Sequence, residues 1–261
     1  MKHILFIICL VSIFYSCKKT DAPKPIAMPE PVSLVDTTGT LDIEISNVVN
    51  GQPLVLSSVS YTNANADTFK VNMLKYYFTN VQLSSANGYT FAEVESYYLI
   101  NQANASTLHL HIKKVPRANY NHIQFLIGVD NHRNTAGAQT GALDPINDMF
   151  WSWNQGYIMA KFEGTSNQSG DANGHLLTFH LGGFSGAYSS VRMVNFNFPN
   201  TANVTETHTP IVNMQADIAQ WFKSPNITDF SSDYVITSSG TRSKSMADNY
   251  ADMFTITSVV N

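Results

Sequence analysis

Alternation of apolar and polar residues, the pattern of a half-buried β-strand, recurs along most of the chain. Four of the clearest alternating segments are residues 41–46, 108–112, 177–181 and 194–198. Turn signals separate such segments, and Asn87 followed by Gly88 is the strongest hairpin signal. Residues 216–223 and 245–254 instead have the spacing of short helices. The pattern predicts an all-β fold, an antiparallel β-sandwich with one or two short helices.

The longest interruption of this alternation lies between a strand that ends near Gly128 and another that begins near Tyr157. Its first half is polar, and its second half carries Met149, Phe150 and two of the chain's three tryptophans. A connection of this length in a compact domain is uncommon unless it binds something or is held by its own side chains. The sequence therefore places the candidate functional site here.

The N-terminal segment has the features of an export signal. Its apolar run, residues 4–15, is shorter than the about 20 residues that a membrane-spanning helix needs. Cys17 falls where a lipoprotein signal is cleaved, so residues 1–16 are predicted to be a lipoprotein signal peptide. Residues 17–37 then hold the lipidated cysteine and a flexible, proline-containing tether, and residues 38–261 form the folded domain. An ordinary signal peptide with a chance cysteine is the alternative.

Charge and cysteine content exclude several classes of function. The formal net charge is −4 and 13 % of the residues are charged, so no Lys/Arg cluster is available to neutralise nucleic-acid phosphates. The two cysteines are Cys9, in the cleaved segment, and Cys17, which the lipid uses. The mature domain is therefore predicted to have no disulfide, no thiol nucleophile and no cysteine metal site.

The sequence contains no catalytic signature. It has neither the G-x-S-x-G nucleophile elbow nor a glycine-rich phosphate loop. Asp130, Asp144, Asp148 and Glu163 could converge in a fold as the carboxylates of a glycosidase, but their spacing does not favour it. The sequence thus predicts a protein that is not an enzyme.

Histidine is the remaining candidate for chemistry, because eight histidines and no usable cysteine favour an imidazole site for zinc or copper. His132, in the polar loop, and His180, at a strand end before two glycines, are the best placed. Calcium is the rival ion for the loop, since Asp130, Asn134 and Asp144 offer the oxygen ligands that calcium takes. A hydrogen-bonding role at the strand end is the alternative for His180.

The tryptophans of the central segment, Trp151 and Trp153, allow three interpretations. They can shield a metal ion from water, anchor the core, or form a surface that binds a glycan or a partner protein, with the loop fixed by calcium. The last interpretation makes the protein a surface recognition module. It requires exposed indoles, because a buried ring cannot stack on a sugar.

A second pair of histidines lies on one predicted strand. In residues 108–112 the leucines and the isoleucine share one face, which leaves His109 and His111 adjacent on the other. Side chains at i and i+2 of a strand lie about 7 Å apart, within chelating range of one metal ion. The alternative is two polar residues on the solvated face of a sheet.

Two motifs resemble those of a known family. They are the run GVDNHRNTAGAQTGALDPINDMFWSWNQGYIMAKFEG at residues 128–164 and the run FHLGGF at residues 179–184. Both resemble the MbnP-like copper-binding domain family in its form as a lipoprotein of Bacteroidetes-type bacteria, and the likeness covers roughly residues 38–258. The resemblance implies a β-sandwich and an exported, non-enzymatic protein that binds or handles copper.

The resemblance also implies a ligand set, since relatives bind copper, largely Cu(I), through two histidines and a kynurenine made by oxidising a tryptophan. His180 matches the histidine of the family's H-x-G motif, and His132 lies where relatives have a loop histidine. Trp151 and Trp153 are the candidate oxidised or site-lining tryptophans. A di-haem peroxidase-like protein is the implied partner. The expected location is the cell envelope, with the lipid anchor in the outer membrane and the domain on its periplasmic or surface face.

Overall fold

The computed structural model describes residues 37–137, 139–152 and 155–261. The predicted signal peptide, nearly all of the tether with Cys17, and Trp153 lie outside the described residues. Residues Thr37–Asn261 form one compact unit. Within the described ranges no helix is long and apolar enough to cross a membrane.

Strands dominate the folded unit, as the alternation predicts. They are β1 (Thr38–Val49), β2 (Gln52–Pro53), β3 (Tyr61–Thr62), β4 (Thr68–Ser84), β5 (Thr90–Ala92), β6 (Tyr97–Asn101), β7 (His109–Pro116), β8 (Asn119–Ile127), β9 (Phe150–Ser152), β10 (Gly156–Thr165), β11 (Leu176–Gly182), β12 (Arg192–Asn203), β13 (Ile211–Asp217), β14 (Val235–Ile236) and β15 (Phe254–Val260). The predicted all-β class is confirmed.

The strands form two sheets. The small sheet has five strands in the order β15-β13-β1-β2, with β7 also paired to β1. The large sheet has ten strands and follows the order β12-β8-β4-β10-β11-β14, with β3, β5 and β6 also paired to β4 and β9 paired to β10. Most pairings are antiparallel, but β1 with β13 and β11 with β14 are parallel. The sandwich is therefore mainly, not wholly, antiparallel.

The main core lies between the inner faces of the two sheets. Phe254, on the small sheet, meets the rings of Phe78 and Phe125 edge-on, at centroid distances of 6.0 Å and 5.1 Å. Phe78 and Phe125, on neighbouring strands of the large sheet, are stacked at 3.8 Å. Such interlocking of rings from both sheets joins the layers of a sandwich.

The helices are short. The α-helices are α1 (Asn131–Asn134) and α2 (Thr241–Tyr250), and the 3-10 helices are Ala105–Leu108, Gly141–Leu143, Pro145–Asn147, Gly186–Tyr188 and Ile218–Phe222. The predicted helix at residues 216–223 is the last of these 3-10 helices, and it begins where the Asp217 carboxylate accepts the Ala219 N–H. The predicted helix at residues 245–254 corresponds to α2, which starts earlier and ends at Tyr250.

Candidate functional site

The described part of the central segment (residues 128–155 without 138, 153 and 154) folds over the outer face of the large sheet. It runs through α1, two 3-10 turns and β9, and then returns into the sheet as β10. Apolar side chains of the segment pack on β4 and β10 to form a second core, named here the outer-face core. Its buried members are Tyr77, Val129, Leu143, Met149, Tyr157, Ile158 and Met159. Burial of a side chain such as Met149 stabilises this arrangement by roughly 1.5–3 kcal/mol.

Two tyrosines of the large sheet form hydrogen bonds to the backbone of the central segment. The Tyr77 hydroxyl donates to the Ala142 carbonyl at 3.1 Å, and the Tyr157 hydroxyl donates to the Leu143 carbonyl at 2.7 Å. Burial raises the pKa of Tyr157 to about 12 and raises that of Tyr77 further, so both hydroxyls keep their protons at neutral pH. These two hydrogen bonds satisfy backbone carbonyl groups of the segment. The backbone N–H groups of the segment's short helices do not supply partners for them.

The start of the segment is fixed by Asp130. Its carboxylate accepts the Tyr97 hydroxyl at 2.6 Å and the Arg133 N–H at 3.0 Å, which caps α1. Burial opposes ionisation of Asp130, but these donors outweigh it and hold the pKa of Asp130 below its usual value. The Arg133 guanidinium pairs with Glu95 and lies 5.2 Å from the centre of the Tyr97 ring.

Asn134 joins the segment to β10. Its side-chain N–H groups donate to the carbonyls of Val129 at 2.7 Å and Asp130 at 2.9 Å, and its carbonyl accepts the Tyr157 N–H at 2.8 Å. The residue is 1 % exposed. Gly156 passes directly over this side chain, since a Cβ there would lie 2.2 Å from Asn134 Oδ1. The segment is therefore held in place by its own side chains.

The predicted calcium ligands form hydrogen bonds that hold the central segment together. Asp130 and Asn134 make the bonds just described, and Asp144 caps the 3-10 turn Pro145–Asn147 by accepting the Ile146 N–H at 2.9 Å. In the described ranges no group of three or more His, Cys, Asp or Glu residues is placed to hold a metal ion. These oxygens already accept N–H and O–H groups of the protein, and the calcium hypothesis stays a prediction.

A row of basic side chains crosses the outer face beside the outer-face core. Lys161 on β10 is in register with Lys75 on β4 and with His180 on β11. These three residues are named here the basic row. Lys75 Nζ donates to the Asn147 carbonyl at 3.0 Å, so one end of the row also supports the central segment.

Lys161 brings two of the candidate carboxylates together. It is 3 % exposed, and its ammonium group pairs with the Asp148 carboxylate and lies 3.7 Å from Glu163 Oε1. The hydrogen bond from Lys161 holds the pKa of Asp148 below its usual value. Asp148 and Glu163 thus converge on a buried cation of the protein. Sequence reasoning missed Lys161, although a lysine within an otherwise apolar strand is a signal of a buried ion pair.

His180 is held by Glu163. Its Nε2 lies 2.8 Å from Glu163 Oε1, and because an ionised carboxylate only accepts, Nε2 carries the proton. Burial lowers the pKa of His180 and outweighs the opposing effect of Glu163, while the nearby Lys161 charge lowers it further. The ring is therefore neutral at neutral pH, and Nδ1 keeps a lone pair. Carboxylate partners hold metal-binding histidines in this way.

Trp151, a residue of β9, packs against the face of β11 that carries His180. A Cβ at Gly182 would meet Trp151 Cζ3 at 2.2 Å, so the six-membered ring of the indole lies directly against that glycine. Leu181 points into the main core, which places Gly182 and His180 together on the opposite, outer face. The half-buried indole packs against the outer-face core. At this position the glycan-binding hypothesis lacks the freely exposed ring that it needs.

Comparison with known proteins establishes the family. The model of the MbnP family matches residues 38–239, most of the chain. The chain belongs to the MbnP family. Among solved structures, MbnP from Methylosinus trichosporium is similar with a TM-score of 0.51 and 14 % identity, covering 73 % of this chain and 79 % of that chain. This likeness supports the sandwich fold. No curated protein matches the sequence.

Membership of the MbnP family supports a copper-related role, and the residues present can be tested against it. His180 fits as one ligand, because its neutral ring is oriented by Glu163 and its Nδ1 has a lone pair. His132 is exposed on α1, and no hydrogen bond or ion pair between described side chains links it to the basic row. In this MbnP-family chain the side chain of His180 is thus oriented by a hydrogen bond, whereas the side chain of His132 is exposed to solvent.

Proposed function

We propose that this protein is an exported, lipid-anchored, non-catalytic copper-handling protein, and that His180 binds the copper through Nδ1. The observation that carries the proposal is the Glu163–His180 pair beside Trp151 on the outer face of an MbnP-family sandwich. Cys17 is the proposed site of lipidation.

The chemistry of the site favours Cu(I). This ion accepts imidazole ligands without thiolates, and the mature chain is proposed to have no cysteine beyond the lipidated one. A neutral imidazole needs to lose no proton before it binds, and the Glu163 hydrogen bond fixes the tautomer that presents Nδ1. His132 is the proposed second ligand because it matches the loop histidine of the family, and its side chain is exposed on α1.

The tryptophans complete the proposed site. Trp151 covers the stretch of β11 next to His180, where its indole limits the access of water to a bound ion. In the proposal Trp151 or Trp153 is the residue that the implied di-haem peroxidase-like partner oxidises. Intact-mass measurement of the natively produced protein detects such a change directly.

An anaerobic Cu(I) titration against a competing chelator tests the proposed function. His180→Ala is expected to weaken Cu(I) binding by about tenfold or more, because it removes the oriented imidazole. Glu163→Gln is expected to weaken it by about 10-fold to 100-fold, because the amide holds the ring less firmly. His208→Ala, at an exposed histidine, is the matched control and should bind as the wild type does. Unchanged binding by His180→Ala contradicts the proposal.

A further inference from the structure

The small sheet carries a second arrangement of histidines on its exposed outer face. His109 and His111 are two residues apart on β7, and their side chains are 54 % and 61 % exposed. The leucine between them is buried in the main core, so both rings project on the solvated side. Side chains at this spacing lie about 7 Å apart at their base, and flexible imidazoles can approach one ion from there.

Each of the two histidines faces a carboxylate on the neighbouring strand β1. The register pairs His109 with Glu44 and His111 with Asp42. His111 Nδ1 lies 2.9 Å from Asp42 Oδ1, and His109 Nδ1 lies 3.6 Å from Glu44 Oε1. Because the Nδ1 atoms face the carboxylates, the Nε2 atoms are the ring nitrogens left for another ligand.

We propose that His109 and His111 bind one Cu(II) ion through their Nε2 atoms, with water completing the coordination, and that Asp42 and Glu44 are positioning residues. Cu(II) is the strongest binder among the divalent first-row ions at a nitrogen site. Carboxylates that accept the other ring N–H of a metal-binding histidine orient the ring and increase its basicity. Two protein ligands plus water make an exposed site.

The charges around the pair are mixed, because Asp42 and Glu44 favour a cation while Lys113, the next exposed residue on this face of β7, carries a positive charge. On the other side of β1, Asp42 and Glu44 are flanked by Ile211 and Asn213 of β13, which are both uncharged. The two carboxylates lie beside the rings and attract a positive ion through partly exposed surface. The bis-histidine site is on the outer face of the small sheet, whereas His180 is on the outer face of the large sheet.

Electron paramagnetic resonance during titration with a Cu(II) salt tests this site separately from the proposed function. The wild type is expected to bind a Cu(II) equivalent whose spectrum shows coupling to two imidazole nitrogens. The double variant H109A/H111A should lose that signal and bind this equivalent about tenfold or more weakly. Both side chains are exposed, so the thermal midpoint of the metal-free double variant should match that of the wild type.

The control variants distinguish the two copper sites from each other. They also distinguish the copper-binding histidines from the positioning carboxylates. His180→Ala should keep the two-nitrogen Cu(II) signal whether or not it has lost Cu(I) binding. The double variant D42N/E44Q keeps both imidazoles and should weaken Cu(II) binding by about tenfold, with an unchanged thermal midpoint. Retention of the two-nitrogen signal at wild-type affinity in H109A/H111A overturns the proposal. Unchanged Cu(II) affinity in D42N/E44Q overturns the positioning role.

Discussion

Replacement of Asn134 by alanine is expected to lower the free energy of unfolding by about 3 kcal/mol. The Asn134 side chain satisfies the carbonyls of Val129 and Asp130 and the N–H of Tyr157, all close to the start of the central segment. Alanine leaves these groups without their partner, and each buried unpaired polar group costs about 1–3 kcal/mol. Urea unfolding followed by far-UV circular dichroism measures the change.

The neighbouring asparagine supplies the control. Asn131 is exposed on the same short helix, so Asn131→Ala is expected to change the free energy of unfolding by no more than about 0.5 kcal/mol. Hydrogen exchange adds a local readout. In Asn134→Ala the amide of Tyr157 should lose protection, because its acceptor is gone. Equal stability of the two variants would show that Asn134 does not hold the segment.

Replacement of Gly156 by alanine is expected to cost about 3 kcal/mol as well, for a different reason. Gly156 has φ +75°, in the left-handed region that favours glycine, and a Cβ there would lie 2.2 Å from Asn134 Oδ1. The added methyl group therefore strains the backbone and displaces the amide that accepts the Tyr157 N–H. The midpoint and slope of urea unfolding give the measurement.

The variant Gly51→Ala separates the backbone strain from the steric clash that both contribute at Gly156. The φ of Gly51 is +76°, and a Cβ there would meet no atom within 4 Å. Gly51→Ala should therefore cost only the backbone strain, about 1 kcal/mol. The double variant Asn134→Ala with Gly156→Ala should be less destabilised than the two single costs together, because alanine at 134 removes the closer clash and leaves only the one with the Phe184 ring at 2.8 Å. Equal costs at Gly51 and Gly156, or full additivity, would refute the close contact.

Much of the fold follows from local alternation. In residues 108–112 the predicted inner positions Leu110 and Ile112 are buried and Leu108 is half-buried, while His109 and His111 are exposed as predicted. Period-two patterning succeeds here because one face of the strand meets the core and the other meets water. The parallel pairing of β1 with β13 was not predictable, since no local signal fixes register between segments so far apart in sequence.

The helices show where local patterns are ambiguous. The apolar residues Met246, Tyr250 and Met253 fit one helical face, which favours a helix that continues to residue 254. The helix instead ends at Tyr250, and the chain enters β15 at Phe254, whose ring packs edge-on against the large sheet. Tertiary packing decided the boundary, because helical spacing and strand alternation overlap over such a short stretch.

The candidate site was predictable in location but not in its contacts. Length and composition pointed to the central segment, and the segment is indeed held by its own side chains, above all Asn134. Cross-strand register, which sequence spacing does not reveal, aligns Lys161 with His180. The 3-10 turn Pro145–Asn147, which ends at Asp148, brings the Asp148 carboxylate to the Lys161 ammonium group. His132 was predicted as a ligand because it matches the loop histidine of the family. In the structure its side chain is exposed on α1.

Nuclear magnetic resonance of the imidazole nitrogens of His180 tests the central claim most directly. Cu(I) is diamagnetic, so a long-range proton–nitrogen correlation spectrum can be recorded before and after addition of the ion. The Glu163 hydrogen bond predicts a neutral ring protonated at Nε2 in the metal-free protein, and a large shift confined to Nδ1 when Cu(I) binds. A ring protonated at Nδ1, or His180 nitrogens that do not respond to bound Cu(I), would contradict the assignment of His180 as the copper ligand.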